Sequence, residues 1–224
     1  MIPDYGSAFA AWRADCPGPW AAYTRHAFVE GVRDGSLPQA AFLAYLRQDY
    51  LFLMQFARAW ALVVVKAGSL AEMQAAAATV HALLHQEMAL HLRICAAAGI
   101  SGTDLEATEE AAGTLAYTRY VLDAGHSGDV LDLLAALAPC ILGYGEIGAR
   151  LAATAGDTPY RDWIATYGGA EYQVLCRRTG ALIDGAVAAR LGPAAKTLPR
   201  WQMLSRHFTT ATRLEAGFWT GGGL

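Results

Sequence analysis

The segment Leu137-Ala138-Pro139-Cys140-Ile141-Leu142-Gly143-Tyr144-Gly145-Glu146 sets a thiol directly after a proline inside an apolar run. Proline within a helix removes a backbone hydrogen bond and crowds the carbonyl four residues earlier, here Ala135, so a helix through this segment is expected to kink. Tyr144 follows Cys140 by about one helical turn and shares its face. Gly143, Gly145 and Gly148 leave open surface where another backbone or a ligand can come close. Cysteine chemistry runs through the thiolate, and no His or Lys lies nearby in sequence to stabilise one. An activating partner must therefore come from another helix. The same pattern also describes a buried structural cysteine at a helix crossing, since free Cys is among the most buried residue types. Local spacing leaves both readings open.

Two acids sit where acids are unfavourable. Asp49 lies in Gln48-Asp49-Tyr50-Leu51-Phe52-Leu53, with Tyr45, Leu46, Phe52 and Leu53 three or four residues away, so it is expected to point toward the core. A carboxylate there needs partners or a raised pKa, whether its role is structural or functional. Glu215 has Phe218 and Trp219 three and four residues on, which suits a pocket, although a surface glutamate on a last helix reads the same way. His81, His85, Glu87 and His91 look at first like metal ligands. At about 100° per residue the pairs His81/His85 and Glu87/His91 point roughly 120° apart, too far round to close on one ion. No metal site is expected there, and Glu87–His91 reads as a pair on one helix face. No HExxH, P-loop, GxSxG elbow or GxGxxG after a strand is present.

The elements that must position these groups are helical almost throughout. Phe42, Tyr45, Leu46, Tyr50, Leu53, Phe56, Trp60 and Val64 recur mostly at three and four residues, which predicts a helix over Pro38–Lys66 that starts at Ser36-Leu37-Pro38. Similar runs predict helices over Leu70–Ala98, Asp104–Ala124, Asp129–Ala155, Gly169–Leu191 and Pro193–Thr220, with shorter ones at Ser7–Ala14 and Trp20–Arg33. Breaks fall at Asp34-Gly35, Gly99–Gly102, Gly125–Gly128, Gly156–Pro159 and Gly192-Pro193. Long helices, short connections and no alternating pattern indicate an all-α helical bundle forming a single domain over residues 1–224. The Gly221–Gly223 tail is expected to be disordered.

Composition narrows the class of function. With 224 residues, 54% hydrophobic, the chain can bury one large core, and at 17% charged it has less charge than the usual quarter. Net charge is −3 and no face concentrates Lys and Arg; Arg177-Arg178 and Arg200/Arg206/Arg213 are the nearest approach, which argues against nucleic-acid binding. No basic n-region with an apolar stretch follows Met1, and the most apolar segments, Ala59–Val65 and Leu133–Leu142, fall short of the roughly 18 residues a membrane span requires, so a cytoplasmic protein without a membrane partner is expected. Cys16, Cys95, Cys140 and Cys176 are widely spaced and are expected to be free thiols.

Taken in order, the local signals resemble one known family. His26-Ala27-Phe28-Val29-Glu30-Gly31, Asp34-Gly35-Ser36-Leu37-Pro38, Phe42, Tyr45-Leu46, Gln48-Asp49-Tyr50 and Phe56-Ala57 resemble the opening of the TenA family, also called thiaminase II or aminopyrimidine aminohydrolase. The likeness continues through Glu87-Met88-Ala89-Leu90-His91, Tyr117, Leu137-Ala138-Pro139-Cys140, Tyr144-Gly145-Glu146, Trp163-Ile164, Thr166-Tyr167-Gly168-Gly169 and Glu215…Phe218-Trp219. The resemblance implies a haem-oxygenase-like helical fold assembled as a homotetramer. It implies hydrolysis of 4-amino-5-aminomethyl-2-methylpyrimidine to the hydroxymethyl compound and ammonia, a thiamin salvage step, with some members also splitting thiamin. Carried over by position, Cys140 matches the nucleophile and Glu215 the acid/base. Asp49 matches the carboxylate on the pyrimidine's amidine-like edge, and Tyr117, Tyr144 and Tyr167 match tyrosines of the pocket. Phe52 stands where several relatives have Tyr, keeping a ring and losing a hydroxyl, which bears on substrate preference. No metal or organic cofactor is implied, because the electron-poor ring serves as its own electron sink. Glu146 belongs near this network without an assigned place. Two other classes compete: an oxidase on the same fold, cofactor-free or di-iron, and a non-enzymatic regulator. The di-iron version needs His, Glu and Asp ligands on several helices, yet no His occurs between His126 and His207. The acidic balance and lack of a basic face count against the regulator.

Overall fold

The computed structural model of the chain describes residues 3–220, and among them helices are the only regular elements. In chain order these are α1 (Ser7–Asp15), α2 (Pro17–Thr24), α3 (Ala27–Asp34), α4 (Gln39–Lys66), α5 (Leu70–Ala82), α6 (Met88–Ala97), α7 (Gly102–Glu106), α8 (Ala112–Ser127), α9 (Val130–Thr154), α10 (Arg161–Gly168), α11 (Ala170–Leu191) and α12 (Pro199–Thr220). One contiguous hydrophobic cluster takes residues from every one of them. The expected disorder of the tail from Gly221 lies outside the described residues.

Helix α9 is the axis of the bundle. Every residue from Val130 to Gly145 is buried, and α4, α8, α10, α11 and α12 pack around it. The helix is continuous through Pro139. Its apolar stretch is longer than Leu133–Leu142, because alanine, glycine and cysteine extend the run. By length and composition it could cross a membrane, yet 94% of that window is buried inside the protein.

A capping box starts α9: Asp129 accepts from the Leu131 and Asp132 amides, and Asp132 accepts from the Asp129 amide at 2.8 Å. Asp132 also receives both guanidinium nitrogens of Arg200, at 2.5 and 2.6 Å, which ties α9 to α12. Burial raises the Asp132 pKa, but hydrogen bonds from His207 and Arg200 outweigh it and hold the carboxyl well below the usual carboxylate range. A depressed folded-state pKa stabilises the fold above the unfolded carboxylate's pKa, and that contribution disappears as pH falls toward the folded value. Asp132→Ala is therefore expected to cost about 1–3 kcal/mol in urea titrations at neutral pH, and distinctly less at strongly acidic pH. An equal cost at both would show that its charge is not what stabilises the helix start.

Several boundaries differ from the periodic pattern for local reasons. The helix expected over Trp20–Arg33 is two, because the His26 side chain accepts from the Phe28 amide and caps a new start. Asp34-Gly35 ends α3 as expected, with Gly35 at φ 79°, a left-handed conformation that favours glycine. The run Asp104–Ala124 divides into α7 and α8, and Pro193–Thr220 begins only at Pro199 after a short 3₁₀ turn, Ala195–Thr197. Helix α10 was not anticipated. The run Leu70–Ala98 is interrupted by a π-helical turn, Leu83–Glu87, which joins α5 to α6.

Candidate active site

Cys140 projects from the buried middle of α9 and retains 8% exposure. Burial pushes its thiol pKa well up, and the charges of Glu215, Glu87 and Asp49 push it further. At rest the group is a thiol. Glu215, 1% exposed on α12, is the carboxyl that acts most strongly on it. The Glu215 carboxyl accepts from the Tyr117 hydroxyl of α8 at 2.9 Å. Burial raises its pKa to about 8, opposed by the hydrogen bond from Tyr117. Around neutrality Glu215 thus carries a proton beside a thiol that also carries one.

On the far side of the site Asp49 of α4 accepts from Tyr45 at 3.0 Å and meets His91 Nε2 of α6 at 2.5 Å. His91 Nδ1 faces the Glu87 backbone carbonyl at 2.9 Å. Both ring nitrogens face acceptors, so the imidazole can satisfy both only by donating twice, as the cation. Burial lowers the His91 pKa, yet the charge and hydrogen bond of Asp49 prevail and the net shift is upward. The result is a buried pairing of the His91 imidazole with the Asp49 carboxyl, which Tyr45 also holds.

The Glu87–His91 reading needs correction. The two residues share a face, but their side chains do not pair: Glu87 accepts from the Tyr167 hydroxyl of α10 at 2.6 Å, and His91 turns to Asp49. His81 and His85 lie with ring centroids 4.5 Å apart, tilted by 38°, on the exposed side of the same segment. The π turn, a one-residue expansion of the helix often found at functional sites, ends at Glu87 and alters the phase between these two pairs. Among the described residues no group of three or more His, Cys, Asp and Glu forms a metal cluster.

Aromatic side chains wall the space between these groups. Tyr144 lies 4.9 Å from Tyr167 between ring centroids, and its hydroxyl is 3.4 Å from that of Tyr45, which also accepts from Trp163 Nε1 at 3.3 Å. Phe52 packs between Tyr117 and Phe218, at 5.0 and 5.3 Å. Burial, then neighbouring charge, raises the pKa of Tyr117, Tyr144 and Tyr167 well above the usual phenol value, so all three remain donors. Glycine is required where α9 meets this wall. A Cβ at Gly143 would stand 2.3 Å from the Tyr23 ring, and one at Gly148 equally close to the Tyr167 carbonyl carbon.

All seven residues singled out from sequence, Cys140, Glu215, Asp49, Phe52, Tyr117, Tyr144 and Tyr167, thus join one connected network. Glu146 does not: it binds Arg13 at 2.7 Å and Trp20 Nε1 at 3.1 Å and fastens α1 and α2 to α9. Tyr45, Glu87 and His91 belong to the site and were not assigned to it. Their signal was present in the acid–base pair Glu87/His91 and in Tyr45 one turn before Asp49. All four cysteines are free and buried, as expected.

A thiol coupled to a buried acid, walled by rings and with a second carboxyl in the same pocket, can attack a flat electron-poor heterocycle with proton transfer. The chain belongs to the TENA/THI-4/PQQC family, which residues 14–222 match. Among solved structures it is similar to a TenA family transcription regulator from a Silicibacter species, with 58% identity, a TM-score of 0.96 and 97% of each chain covered. It is 38% identical over 203 residues to an aminopyrimidine aminohydrolase of Halalkalibacterium halodurans, covering 89% of this chain and 88% of that one. The fold alone is shared with a domain of unknown function with a heme oxygenase-like fold from Shewanella denitrificans, at 14% identity and TM-score 0.71, over 99% of this chain and 93% of the other.

Proposed function

We propose that this protein is an aminopyrimidine aminohydrolase that uses Cys140 as nucleophile and Glu215 as proton shuttle. The substrate is 4-amino-5-aminomethyl-2-methylpyrimidine, converted with water to the 5-hydroxymethyl pyrimidine and ammonia, a reaction of thiamin salvage. The observation that carries the proposal is Glu215, buried and held by Tyr117, as the carboxyl most strongly coupled to the buried Cys140 thiol.

This coupling supplies an activating partner for the thiol. Glu215 gives its proton to ring nitrogen N1 and, now a carboxylate, takes the proton of the thiol as sulfur bonds to C6. No free thiolate is needed, so burial of Cys140 does not oppose the step. Asp49, held in place by His91 and Tyr45, receives the C4 amino group and N3 and fixes the ring in register. Tyr144, Tyr167, Tyr117 and Phe52 enclose its faces and edge. Addition breaks aromaticity; the ring electrons expel the amine from the exocyclic methylene, water adds there, and Cys140 departs with its proton restored. Thiamin fits the same scheme with its thiazole as leaving group. The family's homotetramer belongs to this reading, supported by the exposed apolar side chains Val65, Leu70 and Met73 at the turn from α4 into α5.

Purified protein mixed with the aminomethylpyrimidine is expected to release ammonia and the hydroxymethyl product in equal amounts, measured by coupled assay and chromatography. Folded protein that yields neither would sink the proposal.

A further inference from the structure

The reaction above employs Asp49 and Glu215 and leaves a third carboxyl beside them, the half-buried Glu87, without a part. Its placement is unusual. It ends the π turn, and that change of phase is what lets Glu87 face inward while His85 and Gln86 face out. It is fixed by Tyr167, whose ring also packs on Tyr144 in the wall. It acts electrostatically on both Cys140 and Asp49. With Tyr172 it also borders a groove of about 1460 Å³ between α5 and α11, which brings one edge of Glu87 to the surface.

The order of atoms in the substrate ring says what lies beside Glu87. C5 is flanked by C6, where sulfur adds, and by C4, whose amino group Asp49 holds. The C5 side chain therefore leaves the ring between Cys140 and Asp49, away from N1 and Glu215. That direction leads to Glu87 and the groove.

We infer that Glu87 is the counter-ion for a cationic group on the C5 side chain, so that the enzyme selects pyrimidines whose leaving nitrogen carries positive charge. The inference rests on the hydrolase reading and names a specificity residue within it. A primary aminomethyl group is an ammonium at neutral pH, and a thiazolium is permanently charged; both would lie against the carboxylate. When the carbon–nitrogen bond breaks, its electron pair goes to nitrogen, which leaves as neutral ammonia or thiazole. The positive charge passes to the ring adduct, whose N3–C4 edge faces Asp49. Glu87 thus loses its partner as the bond breaks, and its effect falls on binding and not on the chemical step. Burial first, then the charge of Asp49, raises the Glu87 pKa to about 7, and pairing with a cation draws it into the ionised form.

Binding without turnover tests this. In the Cys140→Ala protein, calorimetric affinities for the aminomethyl and hydroxymethyl pyrimidines compare a cationic with a neutral C5 group on one ring. Adding Glu87→Gln, which can keep the hydrogen bond from Tyr167, is expected to weaken the aminomethyl compound about 10- to 100-fold and the hydroxymethyl compound less than about twofold. Glu87→Asp in the same background retains the charge and is expected to retain a preference for the cation. Equal weakening of both ligands, or of neither, overturns the assignment while leaving the hydrolase reading intact. If folded Cys140→Ala protein binds neither pyrimidine, both fall together.

Discussion

Cys140→Ala is expected to lose about a thousandfold or more in kcat on the aminomethylpyrimidine while remaining folded. The loss is large because no other nucleophile reaches the ring: Cys16, Cys95 and Cys176 are buried elsewhere, and Cys176 gives its thiol hydrogen to the Ile141 carbonyl. The structural cost is small, since removing one buried sulfur costs about 1 kcal/mol. Kinetics with a thermal melt on the same sample separates the two effects. An unchanged melt with activity lost supports a chemical role, whereas retained activity removes Cys140 from the reaction. Cys140→Ser is expected to follow the alanine variant, because a buried hydroxyl is a far weaker nucleophile than sulfur.

Glu215→Gln is expected to lower kcat by about 10²–10⁴-fold with KM little changed. The amide can still accept from Tyr117 and pack against Cys140, so the pocket keeps its shape, but no proton passes between thiol and ring. The pH profile gives a second readout. Wild-type turnover needs Glu215 protonated and is expected to fall as pH rises through about 8; the variant has no such limb from this residue. Stability carries the matching sign. A folded pKa raised above the unfolded one favours the fold at low pH, and that advantage fades as pH rises through the folded value. The variant is therefore expected to gain stability relative to wild type on the alkaline side. A change confined to KM would make Glu215 a binding group and not a shuttle.

The long elements were legible because their apolar spacing is strong: the runs that mark α4, α9 and α11 could hardly be anything else. What escaped notice depended on contacts that spacing does not record. Helix α10 is a short segment between the Pro159 turn and Gly168-Gly169, too brief for periodicity to register. The split at His26 depends on an imidazole used as a cap, a role more often filled by Ser, Thr, Asp or Asn. The π turn leaves no mark in side-chain type, and four-residue spacing alone made Glu87 and His91 a pair on one helix face, where the structure turns them to Tyr167 and Asp49. Within the site, Cys140, Asp49 and Glu215 could be named from sequence, but only as separate oddities with a family pattern to join them. The link from Asp49 to His91 spans 42 residues and that from Tyr117 to Glu215 spans 98. Such partners are found only once the chain has folded, and they are what hold each carboxyl in its place in the pocket.

The extra residue in Leu83–Glu87 divides one continuous rod into two halves with independent azimuth. Upstream, α5 offers Leu70, Met73 and His81 to the outside; downstream, α6 commits Leu90, His91 and Cys95 to the inside. In an unbroken helix these faces would be geared together, and any drift in one would turn the other. Here the turn offsets the two, so that α5 can set its own face outward while α6 keeps its imidazole on Asp49.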